Sequence, residues 1–388
     1  ALNEPETPHK WADYVSPTPN ERPAITFDPQ TGKLAFPWLR PHLGKRPPFA
    51  PNHGGAPWLE PFRVREDGTR GTEPPVPGAQ GPWSLCPENA PRKYFTIHSI
   101  TLPITLKPAT PKAAAVVDPI GMIYVLHEEE EEVRKNPKKQ VPLVIRGNVH
   151  DCVDVIFKNE IPDDARTGWA NKINLHPHFF QFDTSASDGP TIGFSYDMSL
   201  RAFTMLEDPQ PDKGMPLPGN TTITADTKAG AHSLTVKNAS KFHVNTELGV
   251  GMDDPKYFEV ARIKDIKGNT ITFDRPLKYA HRKNDIASVE FIRERWYVDS
   301  DLGTVYWHDH VFGTDPWGHG LFSAFIAEPP RSTYHDPVTG KELRSGPVAD
   351  IHTTEPVSAH IRGSFREIVT QVMDSNPRTS ELITADNP

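Results

Sequence analysis

The sequence predicts an all-β protein built on a Greek-key β-sandwich, with a Pro-rich N-terminal arm and a small inserted β-module. Three observations lead there. From Pro91 onward, short runs rich in β-branched and aromatic residues recur with strand periodicity. Turns containing Pro, Gly or Asn separate these runs, as between the strands of a sandwich. No long amphipathic helical pattern interrupts them.

Taken in order, residues 1–90 are dense in Pro, which removes backbone donors and fixes φ, so long regular elements are not expected. Trp38, Phe49, Trp58, Phe62 and Trp83 are more aromatics than a disordered linker carries. This stretch reads as an extended arm lying on its own core or on a companion chain. Residues 91–207 read as the first part of the sandwich, with strands over Tyr94–Ile100, over Met122–Leu126 and within Val141–Phe157. The acidic run Glu128–Glu132 reads as a solvated loop joining two strands, a cation-attracting patch being the sharper alternative. Residues 208–287 form the inserted antiparallel module, with strands at Ser233–Val236, Tyr257–Ile263 and Thr270–Phe273 and a turn at Gly268-Asn269. Its His232, His243 and His281 share no metal-like spacing and read as surface or packing residues. The sandwich resumes over 288–330 through Val289–Phe291, Arg295–Val298 and Thr304–His308. Residues 331–388 read as a polar linker in which Phe365–Met373 is the first strand of a second, incomplete domain.

Bulk properties exclude several functions. At 388 residues, 36% hydrophobic and 24% charged, the chain can bury a sizeable core in two or three domains. A net charge of −8 argues against nucleic acid as the main partner, which calls for clustered Lys and Arg. No apolar run is long enough for a transmembrane helix, and no basic amphipathic stretch suits a membrane surface. The numbering opens at Ala1 rather than Met, as in a mature chain that has lost a leader, or in one begun at an arbitrary point. Cys86 and Cys152 are the only cysteines, and can form one disulfide or stay as buried thiols.

The chemistry lies in two histidine pairs, His176-Pro177-His178 and His308-Asp309-His310. On a β-strand, residues i and i+2 share a face, so each pair delivers two imidazoles to one side. Imidazole suits copper, iron, nickel and zinc, so the pairs alone do not select the metal. The flanking residues do. Asn174-Leu175-His176-Pro177-His178, followed by Asp188-Gly189, resembles the first copper-binding motif of multicopper oxidases. Residues Gly303 to His310, followed by Gly320-Leu321 and an apolar strand through Ile326, resemble the second. The stretch Pro142–Val153 resembles the strand-turn-strand that precedes the first motif. The wording Trp307-His308-Asp309-His310-Val311-Phe312-Gly313 is similar to the large bacterial members linked to manganese and other metal ions.

The resemblance implies a cupredoxin-like sandwich that supplies four histidines to a trinuclear copper cluster reducing O2 to water. By position, His176 resembles a ligand of the type 2 copper, and His178, His308 and His310 resemble ligands of the type 3 pair. Asp188 resembles the nearby carboxylate that tunes the cluster and assists proton delivery, an Asp-Gly turn without chemistry being the alternative. His319 falls outside the ligand spacing and reads as a packing or supporting residue. His98 and His150 read as hydrogen-bonded structural histidines on strands. Tyr306, Trp307 and Trp317 read as core or pocket-wall aromatics.

The departures from the pattern are informative. A type 1 copper needs a His-Cys-His strand; Asp309 occupies that middle place, and neither cysteine lies between histidines. The expected partner is therefore a companion chain or C-terminal fragment carrying further cupredoxin domains, the type 1 copper and the remaining ligands. The reductant is a small molecule or a metal ion, the acceptor O2, and the resemblance implies a periplasmic or extracellular setting. Two other readings stay open: a nitrite-reductase-like protein with a three-histidine copper at a subunit interface, and a copper-binding cupredoxin subunit without turnover.

Overall fold

A computed structural model describes the backbone of residues 26–27 and 34–35 and most of residues 86–372. Outside it lie 1–25, 28–33, 36–85, 88, 137–140, 163–171, 183–187, 190–199, 205–218, 241, 243, 245–246, 255, 312–313, 356–362 and 373–388. The arm expected over 1–90 falls almost wholly outside the described residues. Of it, only the short strands β1 (Thr26–Phe27) and β2 (Leu34–Ala35), paired antiparallel, and a few residues from Cys86 onward are described. His243 also lies outside.

The strand grammar after Pro91 is realised as β3 (Arg92–Thr101), the small ribbon β4 (Ile104–Lys107) with β5 (Val116–Asp118), and β6 (Met122–Leu126). Helix α1 (Glu130–Lys135) follows, then β7 (Val144–Asn148), β8 (Cys152–Asn159) and β9 (His176–Pro177). The inserted module holds β10 (Asn220–Thr222), β11 (Ser233–Thr235), β12 (Glu247–Val250), β13 (Glu259–Lys267), β14 (Thr270–Phe273) and β15 (Ile286–Ser288). The sandwich closes with β16 (Phe291–Tyr297), β17 (Gly303–His308), the short helix α2 (Thr314–Gly318) and β18 (Phe322–Glu328). Last come β19 (Thr333–His335), β20 (Val348–His352) and β21 (Phe365–Ile368).

Two four-stranded sheets make a cupredoxin-like sandwich, ordered β16-β8-β3-β6 and β7-β18-β17-β9. Each mixes one parallel pair, β3 with β8 and β18 with β7, with antiparallel neighbours. Inward-facing Phe95, Ile97, Tyr124, Val155, Phe157, Ile292, Trp296, Val305, Trp307 and Phe325 fill the space between them. Fully burying such side chains stabilises the fold by about 1.5–3 kcal/mol each. The module is a separate six-stranded antiparallel sheet with its own core, including Val236, Leu248, Ile263 and Phe273. Phe203, Met252 and Phe291 fill the seam between it and the sandwich.

Several sequence expectations are corrected. The acidic run is not a solvated loop: a turn leads into α1, and Glu130 reaches His98 on β3 at 2.7 Å. His150 is not on a strand but in the β7–β8 turn, with φ +74°. Residues 331–364 are not merely linker, because β19 and β20 lie there, and β21 is shorter than expected and pairs with β20. This last sheet is fastened to the sandwich by buried Arg146, which donates to the Gly346 carbonyl (2.7 Å) and to Glu367 (2.9 Å). The question left open at the cysteines is answered by a disulfide between Cys86 and Cys152. It ties the end of the arm to the first residue of β8, and a bridge of this kind stabilises a fold by roughly 2–4 kcal/mol.

Candidate metal centre

Strand register brings the two histidine pairs together. On β17, Val305 and Trp307 belong to the core, so alternation turns Tyr306 and His308 to the outer face of the sheet. Antiparallel pairing of β9 with β17 sets Pro177 opposite Trp307 and His176 opposite His308. Among the described residues strand β9 is the edge of its sheet, so the cluster lies on an outer face beside that edge. Only His176 and His308 are on strands. His178 and His310 follow the strand ends, which departs from the simple picture of two strand-borne pairs.

The four rings converge. His178 Nε2 and His308 Nε2 are 2.9 Å apart, and the His176 ring lies 4.7 Å from that of His178 and 5.1 Å from that of His308. His176, His178 and His308 offer donor atoms within 4.8 Å of one another. His310 stands one ring further out, stacked on His176 at 4.3 Å and 5.4 Å from His308, its buried Nδ1 making no hydrogen bond among the described residues.

Backbone carbonyls set the tautomers. His176 Nδ1 meets the Asp188 carbonyl, and His308 Nδ1 meets that of Asp309 at 2.7 Å. A carbonyl only accepts, so both Nδ1 atoms carry the proton and both Nε2 lone pairs are left for a metal. Burial pushes all four imidazole pKa values down, His308 furthest, to about 4, with the neighbouring histidines acting in the same direction. Neutral imidazole is the ligating form, so the donor set fits a soft-to-borderline cation such as copper. Asp188 places Oδ1 3.6 Å from His176 Nδ1.

Residues that sequence reasoning missed hold this geometry. Asn174 is fully buried, and every polar group on it is engaged. Its N–H donates to Asp309 Oδ1 (2.9 Å) and its side-chain N–H to the Gly189 carbonyl (2.7 Å). Its Oδ1 accepts from His310 N–H (2.9 Å), and its carbonyl accepts from Tyr124 O–H (2.8 Å). Asp309 also accepts from Val311 N–H (3.2 Å), and its carbonyl takes the Trp317 indole N–H (2.5 Å). Trp317 packs edge-on to His308 at 4.2 Å. A signal for Asp309 was present: between two outward histidines, alternation points it inward, where a carboxylate must be hydrogen-bonded. Gly189 is required by space, since a Cβ there would sit 3.1 Å from His310 Cβ at a φ of +92°.

Tyr306, half exposed, stacks on His178 at 4.1 Å, and Phe179 beside it is 72% exposed with φ +63°. A non-glycine residue at positive φ stores strain, and here it aims an aromatic ring outward next to a candidate ligand. His319 is not a member of the cluster; its Nδ1 pairs with buried Asp118 at 2.6 Å.

A second histidine group carries a different chemistry. His98, His127 and Glu130 come within 4.8 Å, His98 Nε2 being 2.8 Å from His127 Nδ1. Yet Lys158 Nζ lies 3.2 Å from that same His127 Nδ1, donates to the Met252 carbonyl (2.8 Å) and sits over the Phe258 ring at 4.3 Å. The place of a cation is thus taken by the chain's own amine, whose pKa burial pushes down to about 7. This group is a polar staple between sandwich and module.

These shifts make stability depend on pH. His308 and His127 fall from 6.5 to about 4 in the folded state, chiefly through burial. Between those values the unfolded chain binds protons that the folded one refuses, so the contribution of these two histidines is full above about 6.5 and declines as pH falls toward 4. Calorimetry of the metal-free chain should show its unfolding temperature dropping over that window, and His127→Gln should flatten the slope. An unfolding temperature that stays level or rises as pH falls would contradict the placement of these rings.

No family model matches the chain, and no curated protein matches it in sequence. Among solved structures, a multicopper oxidase from Pseudomonas thermotolerans aligns over 62% of this chain and 30% of its own, at 11% identity and TM-score 0.26. The multicopper oxidase mgLAC aligns over 62% and 40%, at 11% identity and TM-score 0.27. Fet3p, a multicopper oxidase that functions in iron import, aligns over 62% and 24%, at 12% identity and TM-score 0.24. The chain spans less than half of each of these proteins. It is the chain's own residues that carry the functional reading.

Proposed function

We propose that this chain is the N-terminal part of a multicopper oxidase and supplies four histidines to a trinuclear copper cluster that reduces O2 to water. The observation that carries this is the β9–β17 register, which sets His176 opposite His308 at the edge strand of the sheet, with both Nδ1 atoms on carbonyls and the His308 Nε2 turned toward His178. In this reading His176 holds the type 2 copper, while His178, His308 and His310 hold the type 3 pair. Copper bound there supplies the binding of O2 and the entry of electrons. The chain's residues do the rest. The carbonyls of Asp188 and Asp309 orient two imidazoles, Asn174 and Asp309 hold the two motifs in register, and the Asp188 carboxylate, a quarter exposed, carries protons in from solvent.

The edge position calls for a neighbour to complete the coordination. That neighbour is a companion chain or C-terminal fragment with further cupredoxin domains and the type 1 copper, which this chain lacks. Exposed Phe179 and Tyr306 give it an aromatic rim to pack against. The reductant is a metal ion, a phenol or a small nitrogen compound. The Cys86–Cys152 disulfide suits a periplasmic or extracellular setting, and no described helix is long and apolar enough to cross a membrane.

A second reading draws on the compact trio His176, His178 and His308, which is the donor number of a nitrite-reductase-like interface copper. Native mass spectrometry with a copper count separates the two. The oxidase reading expects about four coppers per complete unit, with O2 uptake. One copper per interface with nitrite turnover and no O2 uptake would replace it with the second.

A further inference from the structure

The inserted module and the sandwich each have a core of their own, and they do not close completely on one another. A cavity of about 590 Å³ lies between them. Its floor is the outer face of the β16-β8-β3-β6 sheet. Val153, Val155 and Phe157 of β8 and Ile292 and Trp296 of β16 point into the sandwich, so alternation turns Asp154, Ile156 and Arg293 out into the cavity. Its roof is the module, through Glu247 of β12, Val260 and Arg262 of β13 and Arg275 just after β14. The histidine pairs lie on the outer face of the other sheet, so the cavity is across the sandwich from them.

The walls carry more positive charge than their own acids neutralise. Arg293 pairs with Glu247 at 2.7 Å, and Arg262 is the cross-strand neighbour of that same Glu247. Arg275 reaches back to the Val260 carbonyl. Asp154 on the floor is already held by Arg295 (2.8 Å) and Arg92 (3.3 Å). Asp274 is the third acid on the walls. Five guanidiniums therefore serve three carboxylates, in a partly enclosed space where salt screens charge less than on an open surface. Beside the guanidiniums, Ile156 and Val260 pack on the apolar seam of Phe203, Met252 and Phe291 and give the cavity dry surface. Tyr94, 63% exposed, and exposed Arg275 keep it within reach of solvent. Its size and its place between two separately cored units are those of a small-molecule site.

We propose that this cavity binds a small organic carboxylate. The anion pairs with the guanidiniums of Arg262, Arg275 and Arg293, a fork geometry that matches a carboxylate's two oxygens. The apolar body lies against Ile156, Val260 and the Tyr94 ring. Because floor and roof come from different units, the bound molecule also ties the module to the sandwich. Such a site is independent of the copper reading, and either can fail without the other.

The test titrates the full chain at low ionic strength with 2-naphthoate and with uncharged 2-naphthamide, following the fluorescence of the naphthalene ring. Naphthoate should bind once per chain and raise the unfolding temperature, and naphthamide should bind at least about 10-fold more weakly, as loss of charge-assisted hydrogen bonds requires. Arg275→Gln, at an exposed position that the fold does not depend on, should weaken naphthoate about 10-fold. Arg293→Gln should weaken it further; if loss of the Glu247 pair prevents folding, Arg275→Gln decides alone. His308→Ala, across the sandwich, should bind naphthoate as the parent does. Absence of saturable naphthoate binding, equal affinity for naphthamide, or parental affinity in Arg275→Gln overturns the site. Loss of binding in His308→Ala overturns it too, by moving the ligand to the histidine centre.

Discussion

On the proposed copper reading, replacing His308 with alanine should abolish O2 uptake while leaving the blue absorption of a partner's type 1 copper intact. His308 is the hub of the cluster: its Nε2 faces that of His178 at 2.9 Å, its ring lies near those of His176 and His310, and Trp317 braces its edge. Removing it takes one donor from the convergence point and leaves a hole beside the indole. Copper analysis should show metal lost from the shared cluster alone. Oxygen-electrode rates that persist at parental level in His308→Ala, with full copper retained, would defeat the assignment.

The Asn174–Asp309 clamp yields the second large effect. Asp309→Ala removes the acceptors for the Asn174 and Val311 N–H groups, both within the folded interior of the motif. Each buried donor left unsatisfied costs about 1–3 kcal/mol, so urea denaturation should show the metal-free chain destabilised by about 3 kcal/mol. The carbonyls that orient the imidazoles would also lose their support, and loss of such supporting groups weakens metal binding by about 10- to 100-fold. Chelator competition measures that second quantity. Asp309→Asn keeps one acceptor and should cost roughly half as much in stability. If Asp309→Ala matches the parent in both assays, the clamp is not what holds the pairs in register.

What could be read in the sequence follows from how local each signal is. Strands such as Met122–Leu126 and Thr270–Phe273 are legible because alternation and turn residues are encoded within a few positions. The all-β sandwich with its inserted module follows from those. The two His-x-His pairs are legible for the same reason, although their juxtaposition depends on the non-local β9–β17 register. The strands β19 and β20 were hidden because each is short and their sheet is secured through Arg146, 200 residues from its Gly346 contact. Helix α1 was hidden because Glu130 is drawn inward by a histidine on another strand, where composition suggests only solvation. Asn174 and Lys158 carry no local pattern. Each is defined by what the fold brings against it.

Lys158 has a consequence for any attempt to shorten the protein. Its amine is anchored on a carbonyl and an aromatic ring that both belong to the module, so excising that insert would return the amine to water while baring the apolar Phe203 and Phe291 of the seam. A minimal version of the fold could keep this lysine but would need polar side chains in place of those two phenylalanines before deletion of the extra sheet could be tolerated.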